Sequence, residues 1–407
     1  MDATDVLLAL AVAVAAFALW LLGTALVIWG ERRVIAKMQT RIGPNRLGPM
    51  GILQTVADGA KLFFKEDITP RNVDKPVYYA APAISAVTAM LMFAVIPFGG
   101  AFEVAGREVT LQVWDPNIGL LWVFAMSSIG VYGVFLAGWA SGSKYPLLGG
   151  VRSASQMLSY ELGMSLAFAA VFVFVGSLRV SDIVAAQEGT LIGAIPAWHV
   201  IPMLPAFVIF FLVAVAETQR PPFDLPEAEG ELVAGFHTEY SGAKFAMFFL
   251  AEFMNMITFS AVIVTMFFGG PSGPMFGLEG TFAGALLGVF YFVLKVSAFA
   301  FVFIWLRGSL PRFRYDRLMD LGWKVLLPFG LLWVMLSGVA VVFRQTVDRD
   351  TVFRVAVIGV AVAIVVYVLS LLLDRLMPPK DDEPPRAHEP DRPALEATAE
   401  RVDETET

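Results

Sequence analysis

The chain contains no cysteine. Disulfides, iron–sulfur ligation and zinc–thiolate sites are thereby excluded from this polypeptide. Histidine is scarce as well: His199, His237 and His388 are scattered and form no His-x-x-x-His pattern, so they outline no metal site. Charge is the third shortage. Charged residues make up 16% of the 407 positions, against about 25% in soluble domains. Apolar side chains fill the deficit, at 57% of the total with a mean hydropathy of +0.69. A chain of this kind belongs in lipid. Its N-terminus has no basic n-region and no small-residue cleavage site, so the first apolar run reads as a span rather than a signal peptide. An internal repeat of fixed period is also missing, which weighs against transporter folds built from duplicated halves.

What the chain does have is long apolar runs. About 20 apolar residues suffice to cross the hydrocarbon core as a helix. Nine such runs are present, at roughly 6–30, 78–99, 117–140, 161–179, 198–216, 244–270, 281–306, 322–344 and 353–377. The expected fold is all-α, a polytopic membrane helix bundle with interfacial amphipathic helices on its cytoplasmic side. Residues 1–377 form one membrane domain. Beyond Met377 the segment holds ten acids and four bases, is Pro-rich and lacks aromatics, which is the composition of disorder. The formal net charge of −7 therefore resides almost wholly in residues 378–407, and the membrane body is close to neutral.

Loop charges set the orientation. Sixteen Lys and Arg residues fall in the odd-numbered loops and five in or beside the even-numbered ones. The odd loops then face the cytoplasm, the N-terminus lies outside, and the acidic tail lies inside. Within the first cytoplasmic loop, Ile52, Val56, Ala60 and Phe63 repeat at helical spacing, while Gln54, Asp58, Lys61 and Lys65 fall on another face. That pattern describes an amphipathic helix lying in the interface. A second candidate of the same kind runs from Leu147 to Tyr160.

The densest chemistry lies between Glu217 and Tyr240, ETQRPPFDLPEAEGELVAGFHTEY. Glu217, Asp224, Glu227, Glu229, Glu231 and Glu239 stand there against a single Arg220. Asp224-Leu225-Pro226-Glu227 has the form of a helix start, with a cap, a proline in the first turn and a capping-box glutamate. One reading is a capped surface helix with a solvated acidic face. But Glu227 and Glu231 are four apart and would repel on a helix, and crowded carboxylates raise one another's proton affinity. The other reading is therefore a group that takes up and releases protons. Within the spans, Glu161, Glu252 and Lys295 are further ionisable groups. Charges at membrane depth face the bundle interior or water. One reading of these groups is a buried Glu–Lys pair that holds helices together; the better one is a proton relay, since Glu217, Glu161 and Glu252 all lie toward the same cytoplasmic half.

Two basic segments complete the picture. Arg32, Arg33, Lys37, Arg41 and Arg46 crowd the segment that includes the turn Gly43-Pro44-Asn45-Arg46. They suit anionic lipid or, given the tight turn, a polar head group or a docking protein. Arg307, Arg312, Arg314 and Arg317 surround Tyr315 and Asp316. Nucleic acid is implausible between two spans, and partner docking is the better reading.

Four blocks in order carry a family resemblance: RIGPNRLGPMGILQTVADGAKLFFKED, SYELG, ETQRPPFDLPEAEGELVAGFHTEYSGAKFA and RGSLPRFRYDRLMDLGWKVLLP. From about residue 20 to 345 the chain resembles the H-subunit family of bacterial NADH–quinone oxidoreductase, respiratory complex I, which includes mitochondrial subunit one. The resemblance implies a multi-pass subunit in a bacterial plasma membrane that forms the membrane half of a quinone-reduction chamber. Ubiquinone or menaquinone is the implied substrate, with NADH, FMN and iron–sulfur clusters held by partner subunits. The implied partners are the peripheral iron–sulfur quinone-module subunits, other membrane-arm subunits including antiporter-like ones, and lipid. By position, Arg41, Gly43, Pro44, Asn45, Arg46, Asp58, Lys61, Phe223 and Asp224 line or dock the chamber. Glu161, Glu217, Glu252, Glu227, Glu229 and Glu231 carry protons, and Arg312, Arg314, Tyr315 and Asp316 meet the peripheral arm. No complete catalytic set and no metal site are expected in this chain. A related membrane subunit of a proton-coupled hydrogenase and a stand-alone proton-coupled transporter are the alternatives. The full GPNR and RPPFDLPEAE blocks favour the quinone enzyme.

The missing cysteines make the orientation easy to test. Glu66→Cys and Gly106→Cys variants should label from opposite sides with a membrane-impermeant maleimide, position 66 from the cytoplasm. Labelling of both from one side of intact vesicles overturns the assignment.

Overall fold

A computed structural model of the chain describes residues 3–104, 106–192, 195–224, 233–278 and 280–346. The chain divides into a unit of residues 1–341 and a second of residues 342–407, of which 342–346 are described. The elements that carry the site lie in the first unit. The ninth apolar run, the acidic tail, and Glu227, Glu229 and Glu231 lie outside the described residues.

Helices dominate, because a lipid-facing backbone must satisfy its own hydrogen bonds. They are α1 (Ala3–Met38), α2 (Gln54–Phe64), α3 (Lys75–Phe93), α4 (Gly119–Ala140), α5 (Lys144–Val175) and α6 (Val180–Ala185). After them come α7 (Leu204–Glu217), α8 (Gly242–Phe267), α9 (Phe282–Ser309) and α10 (Tyr315–Asp320). A π-helical turn, Leu321–Leu326, then leads into α11 (Leu327–Thr346). Two small antiparallel hairpins lie in loops. Phe102–Val104 (β1) pairs with Arg107–Val109 (β2), and Thr190–Ile192 (β3) with Ile195–Pro196 (β4).

Among the described residues, seven helical stretches are long and apolar enough to cross a membrane. These are α1, α3, α4, α5, α8, α9 and the continuous run Tyr315–Phe343. The chain is an all-α polytopic membrane bundle. Two expectations need correction. The run 198–216 yields only the 14-residue α7, because residues 198–203 lie in turns and connecting chain ahead of it. And Leu147–Tyr160 is not a separate interfacial helix. It is the first half of α5, which continues unbroken through Glu161 for 32 residues, since neither glycine nor proline interrupts the joint at Ser159-Tyr160-Glu161.

α8 is the central element and touches α1, α2, α3, α6, α7 and α9. Its buried face carries Phe253, Met256, Phe259, Ile263 and Phe267. Polar groups inside the bundle find partners. Trp20 Nε1 of α1 donates to Thr258 Oγ1 of α8 at 3.2 Å, and the Thr258 hydroxyl returns to Met254 O. Without a hydrophobic drive between lipid-facing helices, close contact between small residues does the packing. A Cβ on Gly133 of α4 would lie 2.1 Å from Ser85 Oγ of α3, and one on Gly138 would lie 2.4 Å from Pro146 O of α5. α3, α4 and α5 are thus locked together along α4.

That contact can be tested directly. Gly138→Leu drives a side chain into the α5 backbone, and overpacking of this kind costs about 1–3 kcal/mol or more. The variant should show a lower Tm in detergent and reduced accumulation in membranes. An unchanged Tm contradicts the packing account.

Candidate functional site

The site is built around a buried arginine. α7 ends at Glu217, Thr218 caps it, and Gln219 turns the chain with a φ of 53°. Arg220 follows, with 1% of its surface exposed. Its guanidinium forms an ion pair with Glu31 of α1 and lies 2.9 Å from Glu252 Oε1 of α8. It also stacks over the Phe253 ring at 4.3 Å. Arg307, at the end of α9, pairs with the second oxygen of Glu31. Two carboxylates and two guanidiniums from four segments make a locally neutral cluster, the condition under which charges are tolerated inside a protein. The expected alternative, a buried Glu–Lys pair through Lys295, is not realised. Lys295 donates to the carbonyls of Phe268, Gly270 and Ser272 at 2.8, 3.0 and 2.7 Å, and so holds the chain that leaves α8.

The turn itself is fastened by α5. Gln156 Nε2 donates to Ala216 O at 2.9 Å and to Phe223 O at 2.7 Å. Gln219 Nε2 donates to Ser153 Oγ at 2.8 Å. Phe223 is buried, with its ring against Tyr160 and Phe313. Its side chain therefore anchors the loop within protein. The neighbouring loop joins in: Phe313 N donates to Pro222 O at 3.0 Å, and Arg312 donates to Asp224 O.

Beside the cluster lies a cavity of about 160 Å³. Glu217, Glu252, Asn255, His237 and Arg307 line it, with hydroxyls from Ser85, Thr88, Ser127 and Thr218. Buried polar atoms normally have partners, yet Ser85 Oγ, Glu217 Oε2 and Asn255 Oδ1 have none within the protein. All three belong to residues of this lining. A space of this size has room for water beside those polar groups, and water is the partner such atoms require. The other oxygen of Glu217 accepts from Ser127 Oγ at 2.8 Å. The next residue along α4, Ser128, donates to Glu161 of α5. Three of the carboxylates expected to carry protons are thus brought near one another: Glu217 and Glu252 on one cavity, and Glu161 reached through the adjacent pair Ser127 and Ser128. His237 stands on the same wall, edge-on to Phe236 and Phe245. Burial pushes its imidazole down to about 4, so it is neutral at physiological pH.

A second cavity, of about 420 Å³, opens between α1, α2 and α8. Its walls are largely apolar, from Ile28, Leu62, Phe63, Met247 and Leu250, with Arg32, Asp58 and Lys61 among them. Burial pushes the Asp58 carboxyl up. Hydrogen bonds from Arg32 and Gln54, with the charges of Arg32 and Lys61, outweigh burial and hold it below the usual carboxylate value. Phe245 and Phe249 of α8 line both cavities, so the two share a wall. α2 is the expected amphipathic helix, with Phe63 and Phe64 74% and 91% exposed beyond the protein.

The remaining expected residues sit as follows. Arg41, Asn45 and Arg46 are exposed, while Gly43 and Pro44 are half-buried. Gly51, at a φ of +75°, has no room for a Cβ, which would lie 2.4 Å from Pro44 O. Met50 O accepts from Trp29 Nε1 and Arg33 on α1, so the loop is docked on α1. Arg312, Arg314 and Asp316 are exposed, Arg314 pairs with Asp316 at 3.0 Å, and Tyr315 is half-buried. Sequence reasoning missed Glu31, Ser127, Ser128, Gln156 and Asn255. Glu31 is the lone acid that closes the first apolar run, and the arginines after it masked that signal.

Fold and site together define a polytopic membrane protein with a buried carboxylate–arginine cluster and, across Phe245 and Phe249, a largely apolar cavity. The model of the NADH dehydrogenase family matches residues 11–338, and the chain belongs to that family. It is 52% identical over 357 residues to the H subunit of NADH-quinone oxidoreductase from Frankia casuarinae, covering 88% of this chain and 77% of the relative. To the same subunit from Frankia alni it is 51% identical over 362 residues, 89% of this chain and 78% of the relative.

Removing one partner from a buried ion pair costs about 3–5 kcal/mol, because the others are left uncompensated. Arg220→Ala should therefore lower the Tm of the purified assembly far more than Arg314→Ala, whose pair is exposed. Equal Tm values for the two variants would sink the central role given to Arg220.

Proposed function

We propose that the chain is the membrane subunit of a proton-pumping NADH–quinone oxidoreductase, forming the membrane half of its quinone chamber and coupling quinone reduction to proton translocation. The observation that carries this reading is the shared wall. An apolar passage with a few charged groups at one side suits a lipid-soluble substrate with a polar head. Directly behind Phe245 and Phe249 lies a polar cavity lined by two glutamates.

In this reading the quinone enters from lipid by the passage between α1, α2 and α8. Its head group is reduced by electrons from an iron–sulfur cluster in a docked peripheral subunit, fed by NADH and FMN farther off. Arg312, Arg314, Tyr315 and Asp316, with the Gly43–Arg46 turn, form the docking face. The chain itself supplies no redox group, so its part is electrostatic. Two-electron reduction adds negative charge, and two protons must follow. At an effective dielectric of about 20, a unit charge still acts with roughly 1 kcal/mol at about 15 Å. Water-connected carboxylates across a thin aromatic wall respond to that charge by moving protons. Glu227, Glu229 and Glu231 supply protons from the cytoplasmic side, and Glu217, Glu252 and Glu161 lead them inward toward antiporter-like subunits. The subunit resides in a bacterial plasma membrane with the N-terminus outside, and residues 378–407 are dispensable to the chemistry.

Glu161→Gln and Glu227→Gln remove one protonatable site each. Both variants should lose quinone-linked proton pumping in proteoliposomes while NADH oxidation by an artificial acceptor stays normal. Full pumping in both would overturn the relay.

A further inference from the structure

The relay as proposed needs a link between Glu217 and Glu161, which stand on different helices. α4 supplies it. Ser127 and Ser128 are consecutive, and consecutive residues on a helix point about 100° apart. One faces α7 and the other faces α5, which is why a single turn of α4 reaches both carboxylates. Ser127 is 3% exposed and lines the cavity, and its hydroxyl donates to Glu217 Oε1 at 2.8 Å. Ser128 Oγ reaches two acceptors, Phe124 O one turn back at 3.0 Å and Glu161 Oε1, and its contact with Glu161 is the closer. Both hydrogen bonds to carboxylates are charge-assisted when the carboxylates are ionised, and such bonds are the strong ones. They also fix direction. With Oε1 of Glu217 held by Ser127, Oε2 is the oxygen left for the cavity, and it is the one without a protein partner. Gly130, about one helical turn on, also lines the cavity, so α4 leaves its own side of the space open to water. We infer that Ser127 and Ser128 are positioning residues: together they hold Glu217 toward the cavity and Glu161 toward α4, and so set where the proton path turns from the cavity into the bundle.

The inference rests on the relay proposed above. The test uses the intact complex in proteoliposomes, with Ser127→Ala and Ser128→Ala, and with Ser127→Thr and Ser128→Thr to restore the hydroxyl. Assembly is read from NADH oxidation by an artificial acceptor. The alanine variants should lose quinone-linked pumping by roughly tenfold, as expected when a hydrogen bond to a charged group is removed. The threonine variants should recover it. Infrared difference spectra with labelled glutamate should show the carboxyl C=O band shifted in the alanine variants and restored in the threonine variants. A merely structural serine would not move that band. Wild-type pumping with an unshifted band in both alanine variants, alongside impaired Glu161→Gln, overturns the serine inference and leaves the relay standing. Normal pumping in Glu161→Gln removes the relay and the serine inference with it.

Discussion

A guanidinium held away from water is the constraint on which this molecule depends. Arg220 is almost fully enclosed, and desolvating its charge is tolerable only because Glu31 and Glu252 meet it. Those two acids come from α1 and α8, and Arg307 of α9 completes the neutral set. Four segments far apart in sequence must therefore arrive together. The stacked Phe253 ring adds a cation–π contact on the face that the carboxylates leave open. The loop carrying Arg220 is then fixed in place, and Gln156 satisfies the backbone carbonyls that the turn exposes. Everything described on the cavity wall follows from that placement.

The arrangement divides apolar from polar space over a short distance. On one side of Phe245 and Phe249 the walls favour a hydrocarbon chain, and on the other they carry carboxylates, an amide and hydroxyls. Because α8 contributes both the aromatic partition and Glu252, any displacement of that helix is felt on both sides at once. In the proposed function such a wall passes the effect of a charge while separating apolar from polar space. This is the arrangement that the proposed function asks for, a subunit that transmits the consequence of a redox event.

Much of this was legible in the sequence, for physical reasons that differ by element. The long apolar runs identified most of the spans, since lipid imposes length and composition alike. The helical spacing of Ile52, Val56, Ala60 and Phe63 was enough to mark α2. The carboxylates Glu161, Glu217 and Glu252 stood out because charge is rare in such a chain. Serines did not, because a hydroxyl in a membrane helix usually returns to its own backbone, as Ser141 does. Ser128 does so too, toward Phe124 O, and it stands out only through the Glu161 carboxylate that also faces it. Glu31 hid among cytoplasmic bases, and the joint of Leu147–Tyr160 with the following span hid because helix continuity leaves no mark when no breaker is present.

The shortness of α7 has an electrical meaning. Fourteen residues at about 1.5 Å each reach roughly 21 Å, less than the hydrocarbon thickness of about 30 Å. Its last residue, Glu217, is enclosed by protein, and the turn that follows is roofed by α5 side chains instead of water. If the proposed relay runs through this carboxylate, it runs within the field of an energised membrane, where one elementary charge is worth about 2.3 kcal/mol per 100 mV for full passage. In the proposed relay, a proton on Glu217 would have travelled part of that drop. On that proposal the loading of this one side chain would answer to membrane voltage as well as to the chemistry beyond the aromatic wall, and a charged membrane would push back on the first inward step.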